Sequence, residues 1–261
     1  MLEKAIDSVY LHTLYSFMFL LGDLAEPLTL SIQVSAVMVW LGLVFAISAV
    51  LRRFGTNAEL VRKVVHIGTG NVLLIAWGLK ISLWLCLIAG GLFSAIAYLS
   101  YYTNILPMLN GVGRKTHGVF YYAVSITLLV ALFWSIHLPQ YAVVGVMVMS
   151  WGDGIAALVG QRWGKHSYSC LGNKRTLEGS LAMLSVSYLM TAIVLSLANG
   201  WMGGGGNGWL NPSLYHWLIA FPVAAIATLF EAFSPGGTDN LTVPLSSALL
   251  CYTLSSGLTP I

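Results

Sequence analysis

The sequence predicts an all-α integral membrane protein, a polytopic bundle of about eight to nine transmembrane helices. Of its 261 residues, 57% are hydrophobic and only 8% are charged, and the mean hydropathy is +0.82. A soluble domain carries about 25% charged residues, so this chain has too few charges to cover a surface that faces water. Its apolar runs of about 20 residues fit membrane helices, whereas the strands of a membrane barrel would alternate over roughly 10 residues.

Eight apolar segments are long enough to cross a bilayer as helices. Their predicted bounds are 29–51, 60–79, 81–102, 118–136, 140–160, 178–198, 213–233 and 241–257. A further apolar stretch, Tyr10 to Leu21, is short and predicts either a ninth span or an interfacial helix. We therefore divide the chain into an N-terminal segment, 1–28, and one polytopic membrane domain, 29–261.

Basic residues indicate which helix ends face the cytoplasm. Ten of the 12 Lys and Arg residues fall in three loops on one side of the predicted bundle: Arg52, Arg53, Arg62, Lys63, Arg114, Lys115, Arg162, Lys165, Lys174 and Arg175. Because cytoplasmic loops of membrane proteins are enriched in Lys and Arg, this side is expected to be the cytoplasmic or stromal one.

Four acidic residues gather at the same ends of the predicted spans. They are Asp153, Glu178, Glu231 and Asp239. Acids contribute little to membrane orientation, so the topology does not require them there. An acid at the edge of a span is costly unless it is paired, hydrated or bound to a metal. The sequence therefore predicts a polar site at this face of the membrane.

The richest motif runs from Ser150 to Ser180. Small residues recur every four positions from Gly152 to Gly164, which predicts a helix face that another helix approaches closely. Asp153 lies beside this stripe. It is a candidate catalytic or metal-binding residue, although a helix cap or a partner for a loop arginine would also explain it.

A cation-rich loop follows, from Gln161 to Thr176. Lys165, Lys174 and Arg175 suit phosphate binding, since arginine adds planar bidentate geometry to its charge. Thr176 stands at a helix start, where N–H groups favour anions; it could equally be an N-cap. The P-loop pattern is absent from this stretch, and the cations taken alone are also explained by membrane orientation.

Two further clusters complete the candidate site. Glu231 precedes a Pro-Gly-Gly turn, after which Asp239 and Asn240 open the last predicted span; helix capping is the alternative for this pair. Near the start of the second span, Arg62, Lys63 and His66 are candidates for phosphate binding. His66 could instead act as a base or as a hydrogen-bonded structural residue.

Together these groups fit phosphoryl transfer, which requires cations for phosphate charge, a metal and an acceptor placed in line. Mg²⁺ typically takes one or two carboxylates plus substrate phosphates, and Asp153, Glu231 and Asp239 are the candidate ligands. An amphiphilic alcohol would keep its tail among the helices, while a nucleotide would arrive from water.

Four ordered motifs resemble the polyprenol kinase family, which includes dolichol kinases and plastid and cyanobacterial phytol kinases. They begin at Arg62, Asp153, Lys174 and Asp239, and the resemblance covers roughly residues 50–257. It implies transfer of the γ-phosphate of CTP, or conceivably UTP, to an isoprenoid alcohol, with a divalent metal. The short chain is most similar to the phytol kinases, which implies phytol as substrate, with dolichol, farnesol and geranylgeraniol as the alternatives. For a cyanobacterial protein it also implies a plasma or thylakoid membrane.

The resemblance also implies which residues line the nucleotide and metal site. These are Asp153, Lys165, Lys174, Glu178, Asp239 and Asn240. Our hypothesis places Asp153 and Asp239 on Mg²⁺ and the cations on phosphates. Glu178 would orient a cation or the metal, and His66 or an acid would receive the hydroxyl proton.

Two other functions remain open at this stage. Phosphatidate cytidylyltransferases share the middle motif, but their Pro-Gly-His-Gly-Gly turn has no counterpart at Pro235–Gly237. A transporter would carry polar residues through the middle of its spans and show two related halves. Nucleic-acid binding is not expected, because the net charge is only +3 and no basic, aromatic-laced patch occurs. The sequence leaves the oligomeric state undetermined.

Overall fold

The computed structural model describes residues 27–103, 117–171, 173–202 and 213–258. The helices in these ranges are α1 Pro27–Arg53, α2 Ala58–Gly78, α3 Leu83–Thr103, α4 Gly118–Phe133, α5 Pro139–Met147, α6 Gly154–Trp163, α7 Leu177–Met202, α8 Leu214–Phe233 and α9 Asp239–Leu258. A π-helical segment, Val148–Asp153, joins α5 to α6. Each predicted span from 29–51 onward coincides with a helix, so the all-α prediction is confirmed.

Five helices of the described part of the chain are long and apolar enough to cross a membrane. They are Thr29–Arg53, Leu83–Tyr102, Pro139–Trp163, Leu177–Asn199 and Leu214–Phe233, and Gly118–Phe133 is a shorter apolar helix. Helices α2 and α9, which carry polar motifs, are less apolar. The fold is therefore that of a helical membrane protein, while the count of eight or nine spans stays a prediction.

The continuous helix formed by α5, the π segment and α6 is the centre of the bundle. It packs against α2, α7 and α9, and its residues from Val146 to Met149 have no exposed surface. In contrast, α1 and α3 have mostly exposed apolar side chains, as on Leu43 and Leu92. Such faces suit contact with lipid, because hydrocarbon tails are as apolar as leucine.

The predicted stripe of small residues is where the central helix meets α7. A Cβ atom added to Gly152 would lie 2.7 Å from both Met183 Sδ and Ser187 Oγ. One added to Gly160 would lie 2.9 Å from Thr176 Oγ1. The close helix approach predicted from this spacing is confirmed.

The segment predicted as a loop between Gln161 and Thr176 is instead partly ordered. Helix α6 continues to Trp163, and strands β1 Ser167–Cys170 and β2 Asn173–Thr176 form an antiparallel hairpin. The Asn173 side chain donates to the Ser234 carbonyl at 2.9 Å, which ties the hairpin to the end of α8. This tertiary contact, which no local sequence pattern indicates, holds the cations of β2 against the bundle.

Some sequence features lie outside the described residues. These are the stretch Tyr10 to Leu21, with nearly all of the N-terminal segment 1–28, and the pair Arg114 and Lys115.

Candidate active site

A polar cleft of about 1090 Å³ opens at one end of the bundle. Its wall includes residues from the first turns of α2, α4, α7 and α9, from the last turns of α3 and α8, from α6 and from β2. Successive helices run in opposite directions, so these ends all belong to one face of the protein. The polar clusters that are distant in sequence thus meet in one place. The side of the membrane that this face occupies stays a prediction.

A buried ion pair lies at the base of the cleft. Lys63 on α2 donates a hydrogen bond to Asp153, and their side chains are 4% and 7% exposed. The His66 Nε2 atom lies 3.7 Å from the same carboxylate oxygen, and its ring packs against Tyr122 at a centroid distance of 4.3 Å. Nε2 has no hydrogen-bond partner among the described residues.

The position of Asp153 follows from an irregularity in the central helix. The π segment Val148–Asp153 inserts extra residues into the turn, and Asp153 is its last residue. Such π-bulges occur frequently at functional sites. Ser150 in this segment bonds to the Tyr122 hydroxyl at 2.6 Å, and Trp151 donates to the Asn71 side chain at 2.9 Å. These contacts lock the segment that presents Asp153 to the cleft.

A second ion-pair group lies between the hairpin and the ends of α8 and α9. Arg175 Nε is 3.0 Å from Glu231 Oε1, and Arg175 Nη2 is 3.4 Å from Asp239 Oδ2. Glu231 and Asp239 are largely buried, whereas the Arg175 side chain is 28% exposed. Arg175 therefore combines charge, partial exposure and a fixed position, which suits a group that also contacts a phosphate.

Other predicted residues also lie in the cleft wall: Lys174, Thr176, Asn240 and Arg62. Lys174 is exposed, so its ammonium group is available to a polyanion. Thr176 accepts from the Gly179 N–H at 3.1 Å, which makes it the N-cap of α7 as well. The Asn240 side chain donates to the Gly237 carbonyl at 3.2 Å and so fixes the Pro-Gly-Gly turn.

The structure does not bring three of the predicted residues to the cleft wall. Glu178 is bonded to His166 Nδ1 at 2.7 Å at the outer base of the hairpin, and Lys165 is exposed there. His66 lies behind Asp153. Lys63, predicted to bind phosphate, lines the cleft but is buried against Asp153. Burial in a charge pair makes Lys63 better suited to holding the acid than to contacting a substrate.

The carboxylates of the cleft are compatible with a magnesium–nucleotide complex. Asp153, Glu231 and Asp239 all lie in the cleft wall, close enough for their negative charges to repel one another. Within the described residues, no group of three His, Cys, Asp or Glu side chains could hold a metal ion by itself. Oxygen ligands on separate helices, with room left for water and phosphate, suit Mg²⁺, which rarely occupies an all-protein cage.

The sequence analysis did not select several polar and aromatic residues of the cleft wall. Tyr101 and Tyr102 form part of it at the end of α3, and Asn57 and Glu59 form part of it at the start of α2. The sequence signal was weak, because two tyrosines at the end of an apolar helix are also typical of the membrane interface.

Known proteins similar to this chain are prenyl alcohol kinases by name. It is 44% identical over 232 residues to the phytol kinase of Synechocystis sp., covering 88% of this chain and 94% of that protein. It is 26% identical over 239 residues to a probable chloroplastic phytol kinase of Triticum aestivum, covering 81% and 73%. It is 28% identical over 222 residues to the chloroplastic farnesol kinase of Arabidopsis thaliana, covering 76% and 66%. No protein-family model and no solved structure matches.

Proposed function

The chain belongs to the polyprenol kinase family, among its phytol kinase-like members, and on this premise we propose that it transfers the γ-phosphate of CTP to the hydroxyl group of phytol or a related isoprenoid alcohol. The products are CDP and the alkyl phosphate. UTP is the second candidate donor. Membership of this family makes the protein a kinase with an alcohol acceptor.

One observation supports phosphoryl transfer most directly. Three carboxylates and two accessible cations, Lys174 and Arg175, face a single cleft although they come from four separate elements of the bundle. Phosphoryl transfer depends almost entirely on positioning and on neutralising phosphate charge. Because the cleft opens at the helix ends, a nucleotide reaches it from water while a lipid alcohol reaches it from the bilayer.

In the proposed reaction, the alcohol oxygen forms a bond to the γ-phosphorus as the bond from that phosphorus to the β–γ bridging oxygen breaks. Lys174 and Arg175 bind the phosphate oxygens. Asp153 and Asp239, with Glu231 beside them, would hold Mg²⁺, which when bound neutralises the charge of the leaving diphosphate. The hydroxyl proton passes to a carboxylate of the cleft. His66 lies behind Asp153, with Nε2 3.7 Å from that carboxylate, so it contacts the acid and not the hydroxyl.

The test is a substrate panel with purified protein in lipid vesicles. Phytol, geranylgeraniol, farnesol and a dolichol-length alcohol are each supplied with γ-labelled CTP, UTP or ATP, and labelled lipid is measured. We expect labelled phytyl phosphate from CTP, and its loss in Asp153→Asn and Asp239→Asn. The control is Arg53→Met, which removes an exposed cation outside the cleft wall.

The same assay separates the two rival functions. If phosphatidate and CTP give CDP-diacylglycerol while the alcohols give no alkyl phosphate, the kinase proposal is wrong and the protein is a cytidylyltransferase. If the protein forms no phosphorylated product but transports a solute, and this transport persists in both aspartate variants, the protein is a transporter.

A further inference from the structure

An aromatic cluster adjoins the cleft at the junction of α3 and α4, and the phosphate chemistry proposed above does not use it. Tyr101 and Tyr102, at the end of α3, are part of the cleft wall. We infer that Tyr101 is the stacking platform for the nucleobase of the phosphate donor, with Tyr102 beside it. This inference rests on the proposed function, because it assigns a part of the same cleft.

The Tyr101 ring is held in place by its neighbours. His117 stacks on it with ring centroids 4.0 Å apart and an interplanar angle of 27°. Tyr102 meets it edge-on, at 5.2 Å and 82°. Tyr101 belongs to the described cleft wall, and the stacked His117 ring restrains its orientation. A flat ring fixed in this way gives a base a surface at little cost in conformational entropy.

Polar groups elsewhere in the same cleft wall favour a base over a lipid tail as the occupant. Asn57 and Glu59, at the start of α2, belong to the same wall. Asn57 Oδ1 caps α2 by accepting from the Glu59 N–H, and Glu59 is paired with Arg62. An apolar tail placed here would take water away from these polar groups, of which Asn57 is exposed, and this desolvation costs free energy. A nucleobase edge supplies both donors and acceptors.

The cleft is large enough for a nucleotide and an acceptor together. Pockets for single small ligands measure roughly 300–1,000 Å³, and this cleft measures about 1090 Å³. Its accessible cations, Lys174 and Arg175, lie on the hairpin, whereas the tyrosines lie on α3. A donor whose phosphates contact the hairpin could therefore place its base on a different wall of the same cleft.

The experiment compares three variants by binding and by kinetics. Tyr101→Leu removes the ring, Tyr101→Phe keeps it, and Tyr98→Leu removes a ring of the same helix that contacts Tyr102 but lies outside the described cleft wall. Calorimetry in the presence of Mg²⁺ measures the Kd of CTP and of inorganic tripolyphosphate, which carries the phosphates without a base. Steady-state assays give KM for CTP and for phytol.

We expect Tyr101→Leu to weaken CTP binding by at least about five-fold, the lower end of what a base–aromatic stack contributes. Tripolyphosphate binding and the KM for phytol should stay at the wild-type value, and Tyr101→Phe and Tyr98→Leu should match the wild type. A raised KM for phytol with unchanged CTP binding would assign the ring to the alcohol. Equal losses for CTP and tripolyphosphate, or no change in CTP binding, would also overturn the inference. If wild-type protein bound neither phosphate compound, the proposed function itself would fail.

Discussion

The buried pair of Lys63 and Asp153 leads to a sharp prediction about stability. Their side chains are 4% and 7% exposed, so Lys63→Met would leave a carboxylate buried without its counter-ion. Breaking such a pair by removing one partner costs about 3–5 kcal/mol. The variant Lys63→Met/Asp153→Asn removes both charges and should recover most of that loss.

The matched control lies one residue away on the same helix. Arg62 pairs with Glu59, and these side chains are 34% and 18% exposed. This pair is only partly buried and joins residues one helical turn apart, and pairs near the surface are worth about 0–1 kcal/mol. Arg62→Met should therefore cost far less than Lys63→Met. The free energy of unfolding is measured by SDS titration of each purified variant in mixed micelles.

Two results would refute this reasoning. One is a Lys63→Met variant that is no less stable than Arg62→Met. The other is a double variant that is as unstable as Lys63→Met alone. The double variant should remain inactive even when its stability is restored, because Asp153 is also a candidate for the reaction itself. That outcome would separate the structural role of Lys63 from the chemical role of Asp153.

The remaining predictions concern the hairpin, the helix packing and the metal. Glu178→Gln breaks the bond to His166, so it should make the hairpin more sensitive to limited proteolysis but lower kcat much less than Asp239→Asn does. If both variants lost kcat equally, Glu178 would have a direct role in the reaction. Gly152→Val should cost about 1–3 kcal/mol of unfolding free energy by overpacking, whereas Gly91→Val, with nothing within 4 Å, should cost much less; equal costs in SDS titration would contradict the packing account. EDTA should abolish transfer of labelled phosphate, and added Mg²⁺ should restore it. If activity persists in the presence of EDTA, the reaction does not require the proposed metal.

Apolar runs were enough to predict where the helices lie. The segment 178–198, for example, falls within α7, Leu177–Met202, because a helix needs about 20 predominantly apolar residues to cross a bilayer. The gathering of Asp153, Glu231 and Asp239 at one end also followed from alternation of the helices. The positions of the helices and the alternation of their ends can both be obtained from the sequence by counting residues along the chain.

The partner of each charged side chain could not be predicted in the same way. Lys63 and Asp153 are 90 positions apart, and whether Lys63 or Arg62 faces the acid depends on how α2 rotates against the central helix. Glu178 turns to His166 because the hairpin folds back over the start of α7. The π segment has no marker in its own six residues, since it depends on contacts with Tyr122 and Asn71.

Pairing within the cleft has a consequence for what it can bind. Its described wall contains four carboxylates, on Glu59, Asp153, Glu231 and Asp239, and four cations, on Arg62, Lys63, Lys174 and Arg175. The formal charge of the wall is therefore zero, so a bare nucleoside triphosphate gains little net attraction from it. A triphosphate that arrives with Mg²⁺ brings a cation for the carboxylates and leaves Arg175 free to exchange its carboxylate partners for phosphate oxygens. We therefore expect this cleft to select the metal–nucleotide complex over either component alone.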